Sequence, residues 1–149
     1  MKIRAYRETD WDSVREIYDL SKPDEMRGSV DLRAVRLLES DADMMALFRE
    51  SEILVMEDGG EVVGFGGNKG RYISWLFVHP RYRRRGIGRA LLGEILSRLP
   101  GAISLNVAAG NHAARALYEH FGFGMKREFS GTFNGHDCKV VTMSREQQG

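Results

Sequence analysis

The sequence from Val78 to Leu92, VHPRYRRRGIGRALL, decides the fold. An apolar run stops at a proline, turns through arginines and two glycines, and enters a stretch with the apolar spacing of a helix. A helix that begins near Gly86 offers first-turn N–H groups and partial positive charge to an anion. Gly86 and Gly88 let a ligand approach the backbone because they lack a Cβ, and the arginines add charge and paired donors. The stretch therefore predicts a phosphate-binding loop.

The spacing of this loop excludes two common nucleotide sites. A Walker-type loop has four residues between its glycines and then Lys followed by Ser or Thr, and no part of the chain has that pattern. A dinucleotide fingerprint has a third glycine, where this chain has Leu91. The phosphate therefore belongs to another class of ligand.

A second motif follows about two dozen residues later. The strand-like Leu105-Asn106-Val107 precedes NHAARALYEHFGF, which runs from Asn111 to Phe123. Together, Arg83-x-x-Gly86-x-Gly88 after a Val-x-Pro strand end and N-x-x-A-x-x-L-Y-x-x-x-G-F resemble the two signatures of the GNAT N-acetyltransferase superfamily. The likeness is sharp between residues 71 and 123, and in element order it extends over nearly the whole chain.

The resemblance implies acetyl-CoA as co-substrate, without a metal. In the family, the amides and arginines of the loop take the pyrophosphate and the 3′-phosphate, and the backbone of the preceding strand bonds the pantetheine arm. An N–H near Val78 would then face the thioester oxygen. The residues predicted to bind acetyl-CoA are Leu76, Phe77, Val78, Arg83, Arg84, Arg85, Gly86, Ile87, Gly88, Arg89, Asn111 and Tyr118.

Tyr118 is the predicted catalytic residue. Asn111, Ala114 and Tyr118 share one stripe of a predicted helix, beside a stripe that is predicted to be buried. The members of that buried stripe are Ala113, Ala116, Leu117, His120 and Phe121. In the family the matching tyrosine lies near the CoA sulfur as general acid, and a phenol with a pKa of about 10 stays protonated at pH 7. We therefore predict that Tyr118 protonates the leaving thiolate.

No general base is evident in the sequence. The strand before the loop, residues 71–78, carries no carboxylate, although some members of the family have a glutamate there. Tyr72, Ser74, an acid from residues 24–43 or a water molecule could accept the amine proton, or the amine could arrive partly neutral. His79, which precedes Pro80 at the strand end, is predicted to be a structural turn residue.

The predicted reaction moves the acetyl group to a primary amine by direct attack through a tetrahedral intermediate. The resemblance places the acceptor between residues 20–48 and residues 125–136. The early segment is rich in acids, which suit a cationic amine. A small-molecule amine and a protein N-terminus or lysine all fit this pattern.

Two other functional classes stay open from the residues alone. The arginines from Arg81 to Arg89, with Tyr72, Trp75 and Tyr82, could neutralise and stack on single-stranded nucleic acid. The missing base also fits a CoA-binding regulator without catalysis. The formal net charge is only +1, while five arginines lie between positions 81 and 89. This favours a local anion site, so we expect no nucleic-acid partner.

Length and composition predict one domain over residues 1–149. With 42% hydrophobic residues, 149 residues suffice for one core. Cys138 is the only cysteine, which excludes an intrachain disulfide. The N-terminus has no apolar leader and no run approaches transmembrane length, so we expect a cytoplasmic protein without membrane association. A homodimer is compatible with the sequence.

The pattern along the chain predicts an α/β fold of the α+β type, like that of the GNAT superfamily. We expect a mixed, mostly antiparallel sheet of about seven strands and about four helices, with one parallel pair across the loop helix. Strands are predicted over residues 3–6, 53–57, 61–66, 71–78, 102–107, 125–133 and 136–143. Helices are predicted over residues 11–20, 86–99 and 111–121, with one or two more within residues 30–48. The tail, residues 147–149, is predicted to fray.

Overall fold

The structure, a computed structural model that describes residues 1–146, has seven strands and four α-helices. The strands are β1 (Lys2–Ala5), β2 (Glu52–Asp58), β3 (Glu61–Lys69), β4 (Tyr72–Val78), β5 (Ile103–Ala108), β6 (Gly124–Phe133) and β7 (His136–Arg145). The α-helices are α1 (Trp11–Met26), α2 (Ala42–Glu50), α3 (Ile87–Ser97) and α4 (His112–His120). Short 3₁₀ turns occupy Glu8–Asp10, Leu32–Ala34, Leu38–Ser40 and Pro80–Tyr82.

The strands form a sheet in the order β1-β2-β3-β4-β5-β7-β6. Within residues 1–146, every neighbouring pair is antiparallel except β4 and β5, which are parallel and are connected through α3. The predicted fold class, the mostly antiparallel sheet and the parallel pair are therefore confirmed.

Local sequence signals set the element ends. Gly59 and Gly60, with φ of 59° and 87°, turn the β2–β3 hairpin, and Asn134 and Gly135, with φ of 48° and 82°, turn the β6–β7 hairpin. Both turns need the positive φ that glycine and asparagine tolerate. Asp41 caps α2, since its side chain accepts a hydrogen bond from the Met44 N–H at 3.2 Å.

Helices cover both faces of the sheet. On one face, Tyr18 of α1 and Phe48 of α2 pack on Phe65 and Trp75 of the central strands, as part of an aromatic cluster. On the other face, α3 buries an aliphatic stripe against the sheet, and α4 packs beside it. The core members of α3 are Ile87, Leu91, Leu92, Ile95 and Leu96. This layering places β4 and β5 at the centre of the molecule.

A β-bulge at Ser74 separates β4 from β5. The β3–β4 register shifts at this point, because Gly67 pairs with Trp75 while Asn68 pairs with Ile73. Below the bulge, Tyr72 and Ile73 pair with β5, and above it the pairing stops. A bulge bends its strand, so the upper part of β4 leaves β5 and opens a gap in the sheet.

Helix α1 is longer than predicted. The segment from Ser21 to Asp24 was expected to end it, but the helix continues through Pro23 to Met26. A proline inside a helix costs about 3 kcal/mol. Tertiary contacts outweigh that cost here, since Met26 is buried and the Ser21 hydroxyl donates to the Val78 carbonyl at 3.1 Å.

Residues 30–48 contain one α-helix, α2, in agreement with the predicted one or two, whereas the predicted buried stripe of α4 is wrong. Residues 30–38 form two 3₁₀ turns joined by extended backbone instead of an α-helix. In α4, Ala113, Ala116 and His120 are exposed, whereas Tyr118 is buried and Ala114, Leu117 and Phe121 pack on the core. The buried stripe is thus rotated by one residue, because Tyr118 faces the gap between β4 and β5. The predicted fraying of residues 147–149 lies outside the described residues. No helix within residues 1–146 is long and apolar enough to cross a membrane.

Candidate active site

A cleft of about 600 Å³ occupies the gap where β4 leaves β5. Its walls are the upper edge of β4, the loop and first turn of α3, the inner side of α4 and the end of α1. Every residue predicted to bind acetyl-CoA lines this cleft except Arg85. The structure therefore brings together two motifs that lie about two dozen residues apart in sequence.

The upper part of β4 presents free backbone groups to the cleft. The His79 N–H donates to the Val63 carbonyl at 2.9 Å, so the odd-numbered residues here bond to β3. Because successive residues of a strand direct their backbone groups to opposite sides, Leu76 and Val78 direct theirs towards the gap. The Val78 carbonyl accepts a hydrogen bond from Ser21, which leaves the N–H groups of Leu76 and Val78 for a ligand.

The other end of the cleft has a backbone geometry that suits an anion. Gly86 has a φ of 77° and caps α3, and its carbonyl accepts the first helical hydrogen bond, from Ala90. The preceding N–H groups, of Ile87, Gly88 and Arg89, consequently have no partner within the helix. Arg84, with a φ of 65°, adds a second left-handed residue to the loop. Left-handed turns next to a helix N-terminus aim several N–H groups at one point, which suits a phosphate.

The arginines of this loop differ in what they contact. The Arg83 guanidinium donates to Asp24 at 3.0 Å and thereby lowers the pKa of that carboxyl, with Arg27 contributing less. The Arg85 guanidinium lies 4.9 Å from the ring centre of Tyr82, outside the cleft. Arg84 and Arg89 are exposed and line the cleft. Three loop arginines thus line the cleft, Arg83 in a pair with Asp24 and Arg84 and Arg89 beside it, whereas Arg85 stacks on Tyr82 and does not line the cleft.

Tyr118 lies in the wall of the cleft opposite β4. The residue is 8% exposed, and its ring packs edge-on against Phe123. Burial raises the pKa of the phenol well above its ordinary value, and Glu25 and Tyr72 add to the shift. The phenol is therefore protonated throughout the neutral range. Asn111 caps α4 through a 3.3 Å hydrogen bond from the Ala114 N–H, so its side chain holds the helix while it lines the cleft.

A second cavity of about 240 Å³ adjoins the cleft. Strands β4 and β5 form much of its wall, and apolar side chains from α2 and from the β6–β7 hairpin complete it, among them Met44, Leu47, Phe133 and Val140. Residues that line both the cleft and this cavity are Glu25, Leu76, Phe77, Asn106, Val107 and Tyr118. The two spaces therefore meet beside Tyr118.

Two charged side chains from α1 line the second cavity, Lys22 and Glu25. The Lys22 ammonium is 3.4 Å from Glu25 Oε2 and lies 5.3 to 5.7 Å from the ring centres of Tyr18, Phe77 and Phe133. Glu25 Oε2 is buried, and among the described residues it has no partner with hydrogen-bond geometry. A buried carboxylate oxygen without a hydrogen bond is costly, unless a ligand supplies a donor.

Polar contacts hold the far wall of the second cavity. The Asn134 side chain, at the tip of the β6–β7 hairpin, donates to the Ala34 carbonyl at 2.8 Å and to the Asp41 carboxylate at 2.9 Å. The Ser29 hydroxyl accepts a hydrogen bond from the Gly110 N–H at 2.7 Å. These contacts tie residues 29–41 to the strands that carry the cavity.

The sequence predicted the cleft better than the second cavity. Tyr72 and Ser74, two predicted alternatives for the base, line the cavity, but the Ser74 hydroxyl is 2.8 Å from that of Ser51. Glu25 belongs to the acids of residues 24–43 that were considered only as a group. Because the helix was predicted to end at residues 21–24, Glu25 was not assigned to it, although Tyr18, Lys22 and Glu25 follow one another at helical spacing.

Comparisons with known proteins show the family of this chain. The sequence model of the acetyltransferase (GNAT) family matches residues 11–123. An acetyltransferase of Sodalis glossinidius is 31% identical over 138 residues, which cover 85% of this chain and 89% of that protein.

Two solved structures share the fold. A GCN5-related N-acetyltransferase from Rhodopseudomonas palustris superposes with a TM-score of 0.83 at 21% identity, over 97% of this chain and 94% of that chain. A GNAT superfamily phosphinothricin acetyltransferase from Sinorhizobium meliloti, solved in complex with acetyl-CoA, superposes with a TM-score of 0.72 at 19% identity, over 98% and 88% of the two chains. With a family match over most of the chain, two adjoining cavities and the loop at the start of α3, this protein belongs to the GNAT acetyltransferase family.

Proposed function

We propose that this protein is an N-acetyltransferase that moves an acetyl group from acetyl-CoA to a primary amine. The observation that carries the proposal is the meeting of the two cavities beside Tyr118. One space has an anion site at its far end and free strand N–H groups along its length, as a long phosphate-bearing donor needs. The other is small and mostly apolar, as a second substrate needs. Direct transfer requires both substrates to be bound with their reacting atoms in contact.

The cleft supports the donor through backbone and charge. The N–H groups of Ile87, Gly88 and Arg89 would take the pyrophosphate, with Arg84 and Arg89 adjacent for the remaining charge. The N–H groups of Leu76 and Val78 would bond the amide groups of the pantetheine arm and the thioester oxygen. In this position the thioester carbon lies at the junction of the two cavities, where Tyr118 and Glu25 line the wall.

The chemistry then runs in two steps at this junction. The amine nitrogen attacks the thioester carbon, a C–N bond forms, and the oxygen becomes an oxyanion that a β4 N–H stabilises. The intermediate collapses, the C–S bond breaks, and the electron pair leaves on sulfur. Tyr118 donates its proton to that thiolate, which gives free CoA and the acetylated amine.

Glu25 is the group best placed to take the proton of the amine. Its Oε2 atom is buried, lacks a hydrogen bond from the described residues and belongs to both cavities. A carboxylate in this state gains a charge-assisted hydrogen bond when an ammonium arrives. It can then accept one proton from that ammonium, which frees the nitrogen lone pair for attack; a second proton leaves the nitrogen as the intermediate collapses and balances the proton that Tyr118 gives to sulfur.

Thiol release tests the reaction itself. The protein is incubated with acetyl-CoA and a panel of small amines, amino acids, lysine peptides and peptides with a free N-terminus, and CoA is measured with a thiol-reactive chromophore. We expect CoA to be released only when one class of amine is present. Mass spectrometry should show that this amine gains about 42 Da, because an acetyl group replaces one hydrogen atom. Saturable acetyl-CoA binding without acetylation of any acceptor would refute the proposal.

Variants test the assigned roles. We expect Tyr118→Phe and Glu25→Gln each to lower kcat by about 10²-fold or more, the usual loss when an acid–base group is removed. Tyr6→Phe and Glu16→Gln are matched controls, since Tyr6 packs on Phe48 away from both cavities and Glu16 is exposed on α1. Unchanged turnover in Tyr118→Phe would contradict its role as general acid.

The loop arginines offer a further matched comparison. Arg84→Ala and Arg89→Ala should raise the Kd for acetyl-CoA, measured by calorimetry. Arg85→Ala should leave it nearly unchanged, because that side chain stacks on Tyr82 outside the cleft. Equal losses in all three variants would show that the three side chains act as an undirected positive surface.

A further inference from the structure

We propose that the acceptor is a small amino carboxylate with an apolar side chain, whose amine lies against Glu25 and whose carboxylate lies against Lys22. The inference rests on the proposed function, because it names the substrate class of the second cavity. Three features of that cavity carry it: the surroundings of Lys22, the balance of charge and the spacing of the two charged groups.

Lys22 is held in the cavity by apolar contacts more than by polar ones. It is 6% exposed, although lysine is among the residues least often buried. Three aromatic rings surround its ammonium, and rings attract a cation without accepting its hydrogen bonds in the ordinary way. Among the described residues, Glu25 is the one carboxylate within ion-pair distance. The ammonium of Lys22 therefore keeps N–H groups that can donate hydrogen bonds to a ligand in the cavity.

The balance of charge selects the ligand. Lys22 and Glu25 together are neutral, and the remaining lining of the cavity is uncharged. A simple ammonium ion would place two positive charges beside one carboxylate in a space of low polarity, where repulsion between like charges is strong. A ligand that carries its own carboxylate restores the balance. It gives Lys22 and Glu25 each a second partner of opposite charge.

The spacing of the charges matches an amino acid. In an α-amino acid, bonds of about 1.5 Å join the nitrogen to Cα and Cα to the carboxyl carbon, so nitrogen and nearer oxygen are roughly 3 Å apart. Lys22 Nζ and Glu25 Oε2 are 3.4 Å apart. The two ion pairs can thus lie side by side with alternating signs, without breaking the pair already present.

The rest of the cavity sets the size and polarity of the side chain. The apolar side chains that line it include Met26, Met44 and Leu47 from the helices and Phe133, Cys138 and Val140 from the β6–β7 hairpin. A volume of about 240 Å³ holds one small molecule. We therefore expect compact apolar side chains to be preferred over charged ones.

Matched acceptors test the carboxylate. For alanine, valine, leucine, methionine and phenylalanine, kcat/KM is compared among the free amino acid, its carboxamide and the amine that lacks the carboxyl group. We expect at least one amino acid to exceed its two analogues by about tenfold or more, the effect of one charge-assisted hydrogen bond. Dipeptides and longer peptides in the same assay report macromolecular acceptors.

Variants of Lys22 test the assigned partner. Lys22→Met keeps the length and the aromatic contacts but removes the charge, so it should abolish the preference for the acid over the carboxamide. Lys22→Arg should keep part of it. Lys69→Met is the control, since Lys69 pairs with Glu50 at the surface. Acetyl-CoA affinity and the thermal midpoint show whether each variant is folded. If a variant does not fold, the comparison of acceptors with the unmutated protein still tests the inference.

The outcomes separate the two proposals. If carboxamides, amines or peptides are acetylated as well as the free amino acids, or if Lys22→Met lowers all of them equally, the inference is wrong and the proposed function stands. If no acceptor of any class is acetylated while acetyl-CoA binds, both are overturned. An acid preference that Lys22→Met removes supports both.

Discussion

Replacing Gly88 with alanine separates ligand binding from folding. A Cβ at this position would lie 3.6 Å from Leu117 Cδ2 and 3.7 Å from Val78 Cγ2, which are ordinary contact distances. Gly88 has a negative φ in the first turn of α3, so alanine fits its backbone. In a helix, glycine is less stable than alanine by roughly 0.5–1 kcal/mol. We therefore expect Gly88→Ala to raise the free energy of unfolding by about that amount.

The same methyl group obstructs the cleft. Leu117 and Val78 are its opposite walls, so the added carbon occupies the space between them, next to the N–H groups that would hold the pyrophosphate. Loss of one hydrogen bond to a charged group weakens binding by about 1.5–3 kcal/mol, or roughly 10- to 100-fold in Kd. The variant should thus melt higher while it binds acetyl-CoA more weakly.

Calorimetry and thermal unfolding measure the two effects together. For a chain of this length the stabilisation corresponds to a rise in Tm of about 1–4 °C. Gly93→Ala is the matched control in the same helix, since its Cβ would contact Phe121 at 3.7 Å, away from the cleft. It should raise Tm by a similar amount and leave the Kd for acetyl-CoA unchanged. A folded Gly88→Ala protein that binds acetyl-CoA as tightly as the Gly93→Ala control would refute the assignment of the cleft.

Three further substitutions have expected outcomes. Arg84→Gly should relieve the left-handed strain at φ 65° and raise the unfolding free energy by about 1 kcal/mol, whereas Arg84→Ala should not, as urea denaturation would show. Asp41→Ala removes the cap of α2 and the partner of Asn134, so we expect a loss of about 1–3 kcal/mol in the same assay; a loss below 0.5 kcal/mol would contradict the described contacts (roughly the lower bound for a cap). Asp10 accepts two hydrogen bonds from Arg4, which lower the pKa of its carboxyl group in the folded protein. Its contribution to the free energy of unfolding is therefore present above the ordinary carboxyl pKa and is lost as the pH falls below about 4. Asp10→Asn should be less stable at pH 7, by about 1.5–3 kcal/mol, and should lose less stability than the unmutated protein on acidification.

Sequence patterns predicted the sheet well because its signals are local. Gly59-Gly60 and Asn134-Gly135 define hairpins within a few residues, and alternating apolar residues define the strands between them. The start of α3 was predicted for the same reason, since Gly86 and the arginines before it lie next to the helix they begin. Local chemistry decides these features, so no knowledge of the tertiary structure was needed.

The features that were missed depend on tertiary contacts. The continuation of α1 past Pro23 is stabilised by the hydrogen bond from Ser21 to Val78, 57 residues away in sequence. The contact of Arg85 with Tyr82, and of Arg83 with Asp24, likewise depends on which way each side chain turns in the folded loop. The spacing of residues in the sequence carries no information about the direction of a single side chain in the folded loop. The second cavity lies between residues 20–48 and 125–136, where the resemblance places the acceptor, but its two charged residues, Lys22 and Glu25, were not singled out, because α1, α2, β4, β5 and the β6–β7 hairpin form it together.

The contact between β4 and β5 is the shortest strand pairing in the described part of the sheet. Only the pairs Tyr72–Ser104 and Ile73–Leu105 connect the two strands within residues 1–146, together with a 3.1 Å hydrogen bond from the Ser104 N–H to the Arg71 carbonyl. We expect a small twist about this contact to change the width of the cleft above it, because so few backbone bonds join the two halves of the sheet. We therefore expect hydrogen exchange at the Ser104 amide to be slow when acetyl-CoA bridges the two halves of the sheet and faster when the cleft is empty. The exchange rate of this one amide would then report whether the cleft is occupied.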